Sequence, residues 1–596
     1  MEGYGPVAAL LPCCNRTGGI AKLPNQRNEQ LMQTRVPAQS TSKSWLLARP
    51  RWLMLSVVLL IAAGASTPLG AQVSRATDPV TIAPEALPSN VLQTILQRGL
   101  EFESSDRWGE ALTHYEEALR SFPSAEPLQQ KHNLAKLQYS IDRRYHDRSF
   151  LLSIRSLNTR QALSLYSELL RKINTHYVQV PSWSQLVVRG TTALDIALAD
   201  RDFLAANSLE VTPAALAQLR SEMYQTAGRQ RVQSPGELVN LAAEVARLAE
   251  ARLGLRQTAT ILEFITAAAG GLDDYSAYLT SDQLRDVYSQ IEGNFVGLGV
   301  ELKADNGALL IVHVIPGSPA EKAGIRSADR IVAVDGKTTA ELSTDEAAAL
   351  LTGEEGTMVR VTAYSPGSQP RILNVRRAHV EVPSLEGVKI IEPDYGVAYV
   401  RIPSFQKTTS RDLEAALWKL HRQDMKSLIL DLRGNPGGLL TSSVELADKF
   451  LTQGNIVSTR GRSPQEDFNY QAHYGGTWRV PLVVLIDGDS ASASEIFAGA
   501  IKDNGRGTIV GNTSFGKGSV QGIFPLGYSG AGVRLTTAKF YSPNGSSISN
   551  HGVAADIRVQ KVAKPTAQGL ASLGSQTHDP ILEAGIQAAQ RRAAAR

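Results

Sequence analysis

Apolar residues recur at the spacing of a helix through much of the segment between residues 91 and 285. The apolar face of residues 161–177 consists of Leu163, Tyr166, Leu169, Leu170 and Ile173. Residues 238–253 and 259–268 show the same spacing. This pattern predicts a run of helices that bury their apolar faces against one another.

From residue 294 to residue 380 the pattern changes to short runs rich in β-branched residues, which indicate strands. The elements predicted here are strands at 309–314 and 329–334, a hairpin turn at Asp335-Gly336, a helix capped by Ser318, and a second helix over 343–351. The segment is therefore predicted to form a small β-rich module.

Beyond residue 388, buried apolar runs alternate with helical patterns. The predicted strands are residues 395–402, 427–432 and 483–486, and the predicted helices are residues 410–421, residues 442–451 and one that opens at Glu495. Such alternation is typical of an α/β fold. The chain as a whole is thus predicted to be multidomain, with a helical region first and an α/β core last.

A shorter apolar run, residues 53–65, follows a basic segment at the start of the chain. It is too short to cross a bilayer comfortably and suits the core of a signal peptide, with cleavage expected between Ala71 and Gln72. The basic segment is unusually long, which leaves three alternatives open: a start at Met32, a bipartite leader as for a thylakoid lumen, or an uncleaved membrane anchor. We favour export with cleavage.

Composition excludes several classes of function. The chain has 596 residues and a formal net charge of only +4, so nucleic acid is not indicated as a partner. The two cysteines, Cys13 and Cys14, are adjacent and near the start, so cysteine offers the folded body neither a nucleophile nor a disulfide. The sequence contains no zinc-binding or P-loop motif, and we expect no metal and no other cofactor.

The first helical segment, residues 91–146, carries the residues of one tetratricopeptide repeat. These are Ile95, Gly99, Phe102, Ala111, Tyr115, Ala118 and Pro123. Small residues let two antiparallel helices approach, and aromatic residues fill the space between them. The alternative is an ordinary helical hairpin packed on its neighbour, since a single repeat cannot bury its own apolar face.

Three serines follow the buried run at residues 483–486, namely Ser490, Ser492 and Ser494. Ser492 and Glu495 have the spacing of a capping box, so helix capping alone would explain this serine. A hydroxyl at the positive end of a helix dipole is also a candidate nucleophile. Lys517, between two glycines, is the nearby group that would activate it.

Two glycines, Gly437 and Gly438, follow the buried run at residues 427–432. A Gly-Gly pair at the end of a strand allows close backbone approach and directs N–H groups outward, as an oxyanion hole requires. A plain turn is the alternative. A chymotrypsin-like triad is not indicated, because His473 and His551 have no recognisable partners.

The β-rich module resembles a PDZ domain in the order of its strands, turn and two helices. Its loop Gly297-Leu298-Gly299-Val300 is similar to the PDZ loop that holds a peptide's C-terminal carboxylate. The resemblance implies that a peptide adds as a strand beside this loop, against the second helix.

Four motifs follow the PDZ-like module in order: residues 431–438, residues 490–495, residues 515–518 and Gln521. Together they closely resemble the carboxy-terminal processing (tail-specific) serine peptidases over residues 163–562. The resemblance implies a crotonase-like α/β core with a Ser-Lys dyad.

The resemblance also implies the roles of single residues. Ser492 is the nucleophile, Lys517 its base and Gln521 the residue that orients the lysine, with Asp503 as an auxiliary acidic position. Gly437 or Gly438, with the backbone N–H of Ala493, forms the oxyanion hole. Burial would lower the pKa of Lys517 so that it is neutral and can accept the serine proton.

We therefore expect an exported Ser-Lys endopeptidase of the periplasm or cell envelope that takes proteins by their C-terminal tails. The alternative is a catalytically inactive PDZ/TPR binding protein or adaptor, and association into a homo-oligomer stays open. The predicted domains are a leader (1–71), a linker (72–90), a TPR-like segment (91–146), a helical region (147–290), a PDZ domain (291–382), a peptidase core (383–562) and a C-terminal tail (563–596).

Overall fold

The computed structural model describes residues 89–305, 308–341, 350–559 and 579–594. The predicted leader, nearly all of the predicted linker and most of the second PDZ helix lie outside the described residues. Within the described ranges, no helix combines the length and the apolar character that crossing a membrane requires.

The N-terminal region is helical, as its apolar spacing predicts. Its helices are α1 (Ser89–Ser104), α2 (Trp108–Ser121), α3 (Glu126–His146), α4 (Arg148–Ser156), α5 (Thr159–His176), α6 (Trp183–Ala197), α7 (Arg201–Ala206), α8 (Pro213–Arg229), α9 (Pro235–Leu253) and α10 (Gln257–Gly270).

Helices α1 and α2 form the predicted hairpin around one close contact. A Cβ on Gly99 would lie 2.1 Å from the hydroxyl oxygen of Tyr115, so only glycine lets the Tyr115 ring lie against α1. Tyr115 is fully buried and donates to Glu103 at 2.6 Å. Helix α3 packs against α2 and also contacts α4, α6 and α7, so it connects the hairpin to the helices that follow.

The helical region shares its core with the chain that lies beyond the PDZ-like module. After α10 the chain forms β1 (Ala277–Leu279) and α11 (Ser281–Glu292). Strand β1 pairs with residues 532–534, and helical residues such as Phe264 belong to the same buried cluster as Phe524 and Val533. The helical region and the predicted peptidase core therefore share one hydrophobic core, although the PDZ-like module lies between them in the chain and has a buried cluster of its own.

The PDZ-like module is β-rich, with one short helix among its described residues. Its elements are β2 (Asn294–Gly297), β3 (Val300–Asp305), β4 (Ala308–Val314), α12 (Pro319–Lys322), β5 (Arg330–Val334), β6 (Lys337–Thr338), β7 (Met358–Tyr364), β8 (Arg371–Arg376) and β9 (Ala378–Glu381). The sheet order is β3-β4-β5-β7-β8, with β6 beside β5, and β2 pairs separately with β9. Strand β3 is thus an edge strand.

The α/β core follows. Its elements are β10 (Glu386–Glu392), β11 (Val397–Arg401), α13 (Thr409–His421), β12 (Ser427–Asp431), α14 (Leu440–Asp448), β13 (Asn455–Gly461), β14 (Phe468–Gln471), β15 (Leu482–Ile486), α15 (Ala493–Asp503), β16 (Thr508–Gly511), β17 (Ser519–Pro525), β18 (Gly532–Tyr541), β19 (Ile557–Arg558) and α16 (Pro580–Ala594). The principal sheet has the order β10-β11-β12-β15-β16-β19, and its strands are parallel from β11 onward. A second sheet joins β1, β18, β13 and β14, with β17 beside β18.

Both faces of the principal sheet are covered, which explains the continuous apolar runs of its strands. Leu430 and Val484 face the cluster that includes residues of α13, α14 and α15, whereas Ile429 and Val483 face α16. Helix α16 lies in the segment that the sequence analysis interprets as a tail. Parallel strands β12 and β15 end at the same edge of the sheet, where α/β proteins bind their ligands.

Candidate active site

The nucleophile turn, residues 487–492, joins β15 to α15. Ser492 adopts φ 55° and ψ −112°, a conformation that residues other than glycine seldom take. Its backbone N–H donates to Oε2 of Glu495 at 2.8 Å, and its carbonyl oxygen accepts from the N–H of Glu495 at 2.9 Å. Ser492 is therefore the N-cap of α15, as the sequence predicts, in a backbone conformation that capping alone does not require.

The flanking serines have structural partners. The hydroxyl of Ser490 donates to the carbonyl oxygen of Leu432 at 2.8 Å, and that of Ser494 to the carbonyl oxygen of Asn435 at 3.0 Å. The glycine loop, residues 433–438, follows β12. Ser490 bonds to the residue just before this loop and Ser494, in the first turn of α15, bonds to the loop itself, as does the N–H of Ala491 in the nucleophile turn. The two loops that the sequence analysis considered separately are thus adjacent.

Glu495 connects Ser492 to Lys517. Its side chain is completely buried. Oε2 accepts from the backbone N–H groups of both Ser492 and Lys517, the latter at 2.9 Å, while Oε1 accepts from the Ser514 hydroxyl at 2.6 Å and from Gly516 N–H at 2.7 Å. One carboxylate therefore fixes the nucleophile turn against the lysine loop, residues 512–518. The sequence pattern predicts only a capping role for this glutamate.

The side chain of Lys517 is half-buried, and its Nζ lies 4.7 Å from the centroid of the Tyr275 ring. No hydrogen bond or ion pair of this amine is found within the described part of the chain. Burial lowers the pKa of Lys517, and the guanidinium of Arg534 lowers it further, against an opposing effect of Glu495. This is the environment that a lysine needs to act as a base.

The sequence patterns do not indicate Tyr275 or Arg534 as residues of the site. Arg534 lies on β18 and donates from Nε to the carbonyl oxygen of Tyr275 at 2.8 Å. Burial lowers the pKa of Arg534 as well. Tyr275 lies in a turn-rich segment, residues 271–276, which the sequence does reveal. This segment is more than 200 residues before Lys517 in the chain, so its position next to the lysine is not evident from the sequence.

Gln521 lies on the strand that follows Lys517, whereas Asp503 lies at the far end of the helix that follows Ser492. Gln521 is on β17, four residues after Lys517, and its Nε2 donates to the Ser519 hydroxyl at 2.9 Å. Asp503 is the last residue of α15, about 16 Å along the helix axis from Ser492 at 1.5 Å per residue, and it accepts from the N–H of Asn544. The structure therefore does not bring Asp503 to the site.

The glycine loop meets the nucleophile turn at Gly437. A Cβ at this position would lie 2.8 Å from Cβ of Ser492 and 3.0 Å from the backbone nitrogen of Ala493. Gly437 and Gly438 have φ of 111° and 134°, and a Cβ on Gly438 would come within 2.2 Å of the Phe405 carbonyl oxygen. Glycine is therefore needed at both positions.

Backbone donors distinguish the two glycines. The N–H of Gly437 already donates to Oδ1 of Asn435 at 2.8 Å. Neither the N–H of Gly438 nor that of Ala493, the first residue of α15, has an acceptor among the residues that the structure describes. Two N–H groups next to Ser492 are thus available to an incoming oxygen.

In the PDZ-like loop, residues 297–300, two carbonyl groups accept hydrogen bonds from the module itself. The carbonyl oxygens of Leu298 and Gly299 accept from Ala320 and Ile315, each at 2.9 Å. Gly299 has φ +82°, which turns the chain from β2 into the edge strand β3, whose first residue is Val300. The loop therefore lies at the start of a sheet edge to which a further strand can be added.

The fold and the site define a serine peptidase that carries a PDZ domain. The family model of peptidase family S41 matches residues 396–559, and a PDZ-domain model matches residues 310–364, a range that begins after the Gly297–Val300 loop. Relatives that are at least 30% identical, and of which the chain covers two thirds or more of the length, are carboxy-terminal-processing proteases, so the chain belongs to family S41 among these proteases. The predicted architecture of a helical N-terminal region, a PDZ domain and an α/β peptidase core is confirmed.

Three relatives illustrate the similarity. The carboxy-terminal-processing protease of Bartonella bacilliformis is 41% identical over 297 residues, which cover 49% of this chain and 67% of that protein. The carboxyl-terminal-processing protease of Picosynechococcus is 35% identical over 308 residues, 51% of this chain and 73% of the relative. The solved structure of a photosystem II D1 C-terminal processing protease is 27% identical, with a TM-score of 0.35, and the match covers 67% of this chain and 100% of that one.

Proposed function

We propose that this protein is an exported endopeptidase that uses a Ser492–Lys517 dyad to cleave proteins recognised by their C-terminal tails. The observation that carries the proposal is the buried carboxylate of Glu495, which accepts from the backbone N–H groups of both dyad residues. A binding protein without catalytic function would not need a strained serine, a lysine of lowered pKa and two available N–H groups at one place.

The proposed reaction begins with attack of Ser492 Oγ on the scissile carbonyl carbon. The serine proton passes to the neutral amine of Lys517, and the oxyanion accepts from the N–H groups of Gly438 and Ala493. Lys517 then gives the proton to the leaving amine, which departs and leaves an acyl-enzyme. A water molecule, deprotonated by Lys517, attacks the ester, and Lys517 returns this proton to Ser492 Oγ as the new C-terminus is released, which leaves the amine neutral again.

The PDZ domain is proposed to hold the substrate's tail. The terminal carboxylate would accept from backbone N–H groups of the Gly297–Val300 loop, and the tail would pair with β3. The α1–α2 hairpin is proposed as an additional surface for an envelope partner. The packing of α3 against α2 is compatible with both interpretations of this segment, an ordinary helical hairpin and a tetratricopeptide repeat.

Cleavage of two peptides that differ only at the C-terminus tests tail recognition. With the purified full-length protein, a peptide with a free carboxylate is expected to have a kcat/KM about 10- to 100-fold higher than its C-terminal amide, mainly through KM, since hydrogen bonds to a charged group contribute about 1.5–3 kcal/mol. Acetylation of the N-terminus is the control and should change little. Equal cleavage of both peptides would contradict tail recognition, and cleavage of neither would contradict the proposed activity.

Export rests on the apolar run at residues 53–65 and the small residues before Gln72. We expect the mature chain recovered from producing cells to begin at Gln72, as read by mass spectrometry of its N-terminal peptide. Recovery of the intact leader from the cytosolic fraction alone would contradict the proposal. An intact leader in the membrane fraction would instead favour the anchored form.

A further inference from the structure

The C-terminal helix α16 contacts both strands that carry the active-site loops. It packs on the face of the principal sheet where Ile429 of β12 and Leu485 of β15 are buried. Gly585 makes the approach to β15 close, because a Cβ there would lie 2.7 Å from Cδ2 of Leu485. Because the nucleophile turn follows β15 and the glycine loop follows β12, α16 packs against the strands that lead into both loops.

A single arginine joins this helix to the glycine loop. Arg433, the first residue of the loop, donates from Nη1 to both carboxylate oxygens of Asp579 at 2.7 and 2.9 Å. Its Nη2 donates to Oδ2 of Asp431 at 2.6 Å, and Nε donates to the same carboxylate. The planar guanidinium is thus held by a carboxylate on each side, a geometry that restricts its position and rotation.

Asp579 serves the helix and the loop together. Its Oδ1 accepts from the N–H of Leu582 at 3.0 Å and so caps α16, while the same side chain holds Arg433. Burial alone would raise the pKa of Asp579, but the hydrogen bonds from Arg433 and from the helix backbone hold this pKa below its usual value. The carboxylate is therefore charged at neutral pH.

The later part of the glycine loop is anchored by other segments: Asn435 Nδ2 donates to the Ile402 carbonyl oxygen at 2.7 Å, the Gly437 carbonyl oxygen accepts from Phe405 N–H at 2.8 Å, and further bonds come from Ser494 of α15 and from the nucleophile turn. Gly434 N–H donates to Oδ1 of Asp487 at 3.0 Å, and the carbonyl oxygen of Asn435 accepts from Ala491 N–H at 3.0 Å. The ion pair with Asp579 is the contact that connects the beginning of the loop to α16. Gly438, whose N–H is proposed to bind the oxyanion, is five positions further on.

We infer that Asp579 is a positioning residue for the peptidase reaction: through Arg433 it fixes the start of the glycine loop and so the direction of the Gly438 N–H group. The inference rests on the proposed function of that loop. It makes α16 part of the catalytic apparatus, since undocking of the helix would release one side of Arg433. A misplacement of about 1 Å at such a donor lowers the rate by about 100-fold.

Three substitutions at position 579 separate the cap from the ion pair. Asp579→Asn keeps an oxygen that caps α16 and removes the charge, Asp579→Glu keeps the charge, and Asp579→Ala loses both. The matched control is Glu222→Gln, because Glu222 accepts two hydrogen bonds from Arg252 in the helical region, at 3.0 and 2.7 Å. All variants are made in the full-length chain.

The expected result is a kcat about 10- to 100-fold lower for Asp579→Asn, with KM within about twofold, partial recovery in Asp579→Glu and no change in the control. Hydrogen–deuterium exchange of residues 433–438 should be faster in Asp579→Asn than in the wild type, whatever the activity. Unchanged exchange and unchanged kcat would overturn the inference while leaving the proposed function intact. If exchange were faster in Asp579→Asn but the wild-type protein cleaved nothing, the role in catalysis would be overturned together with the proposed function.

Discussion

Ser492→Ala is expected to lower kcat/KM by about 10⁴-fold or more, because it removes the only proposed nucleophile and leaves binding and the oxyanion donors in place. The free energy of unfolding should change by no more than about 1 kcal/mol, since the backbone bonds of Ser492 to Glu495 do not involve the hydroxyl. Steady-state cleavage of a tailed peptide and urea denaturation measure the two quantities. Ser153→Ala, at a buried serine of α4, is the control.

Lys517→Ala should reduce kcat/KM to a similar residual level, because the serine is not activated without its base. The double variant Ser492→Ala/Lys517→Ala should be no slower than either single variant, since residues that act as one unit are not additive. Losses that multiply in the double variant would contradict a dyad. So would a Ser492→Ala protein that still cleaved the tailed peptide at the wild-type rate.

The pH dependence of the wild-type enzyme provides a further check on Lys517. Only the neutral amine accepts the serine proton, so kcat/KM should rise with pH as Lys517 loses its own proton. Burial and Arg534 lower the pKa of Lys517, so this rise should occur below the value of about 10.4 that a lysine has in water. A rise centred at or above that value would contradict the proposed base.

Local patterns made the nucleophile turn and the glycine loop predictable from the sequence. Residues 483–486 form a strand because their β-branched side chains are buried on both faces, and Ser492 caps the helix that follows. The glycines at 437 and 438 are needed where the chain touches Ser492 and Phe405, which is the reason two glycines stand together. The strand and the helix cap depend on neighbouring residues, so the order of residues is sufficient to indicate them. The glycine pair is visible in the sequence as two adjacent glycines, although the contacts that require it come from distant segments.

Contacts between distant segments were not predictable in the same way. Tyr275 meets Lys517 because β1 pairs with β18, and this pairing closes a loop that contains the whole PDZ domain. Helix α16 was missed because its apolar residues were assigned to a tail, although Asp579 followed by Pro580 is a typical helix start. The choice of Gly438 rather than Gly437 as a donor depends on one side-chain bond, from Gly437 N–H to Asn435, that no spacing reveals.

Glu495 is the residue whose role in the structure differs most from the role that the sequence predicts for it. A capping glutamate on a helix surface is expected to contribute about 1 kcal/mol. This one is buried and receives four donors, from Ser492, Ser514, Gly516 and Lys517. Its removal would therefore disturb both halves of the dyad together.

Glu495→Gln is expected to lower the free energy of unfolding by about 3 kcal/mol or more and kcat by at least about 100-fold. The amide NH₂ must replace one carboxylate oxygen, so it opposes two donors, and each buried donor left unpaired costs about 1–3 kcal/mol. Replacement of Oε2 would release Ser492 and Lys517 from their shared acceptor, which is the larger effect on the reaction. Urea denaturation gives the stability, and kcat is measured below the unfolding transition and corrected for the folded fraction.

Glu263→Gln is the matched control for the loss of a buried carboxylate. Glu263 is also completely buried, but it accepts from Arg144 at 2.7 Å and from Tyr145 at 2.9 Å, within the helical region. Its replacement should reduce stability by a comparable amount, because it also leaves a buried donor and a buried charge without their partner. The folded fraction of Glu263→Gln should nevertheless keep the wild-type kcat. If Glu495→Gln and Glu263→Gln had the same kcat per folded molecule, Glu495 would stabilise the fold without positioning the dyad.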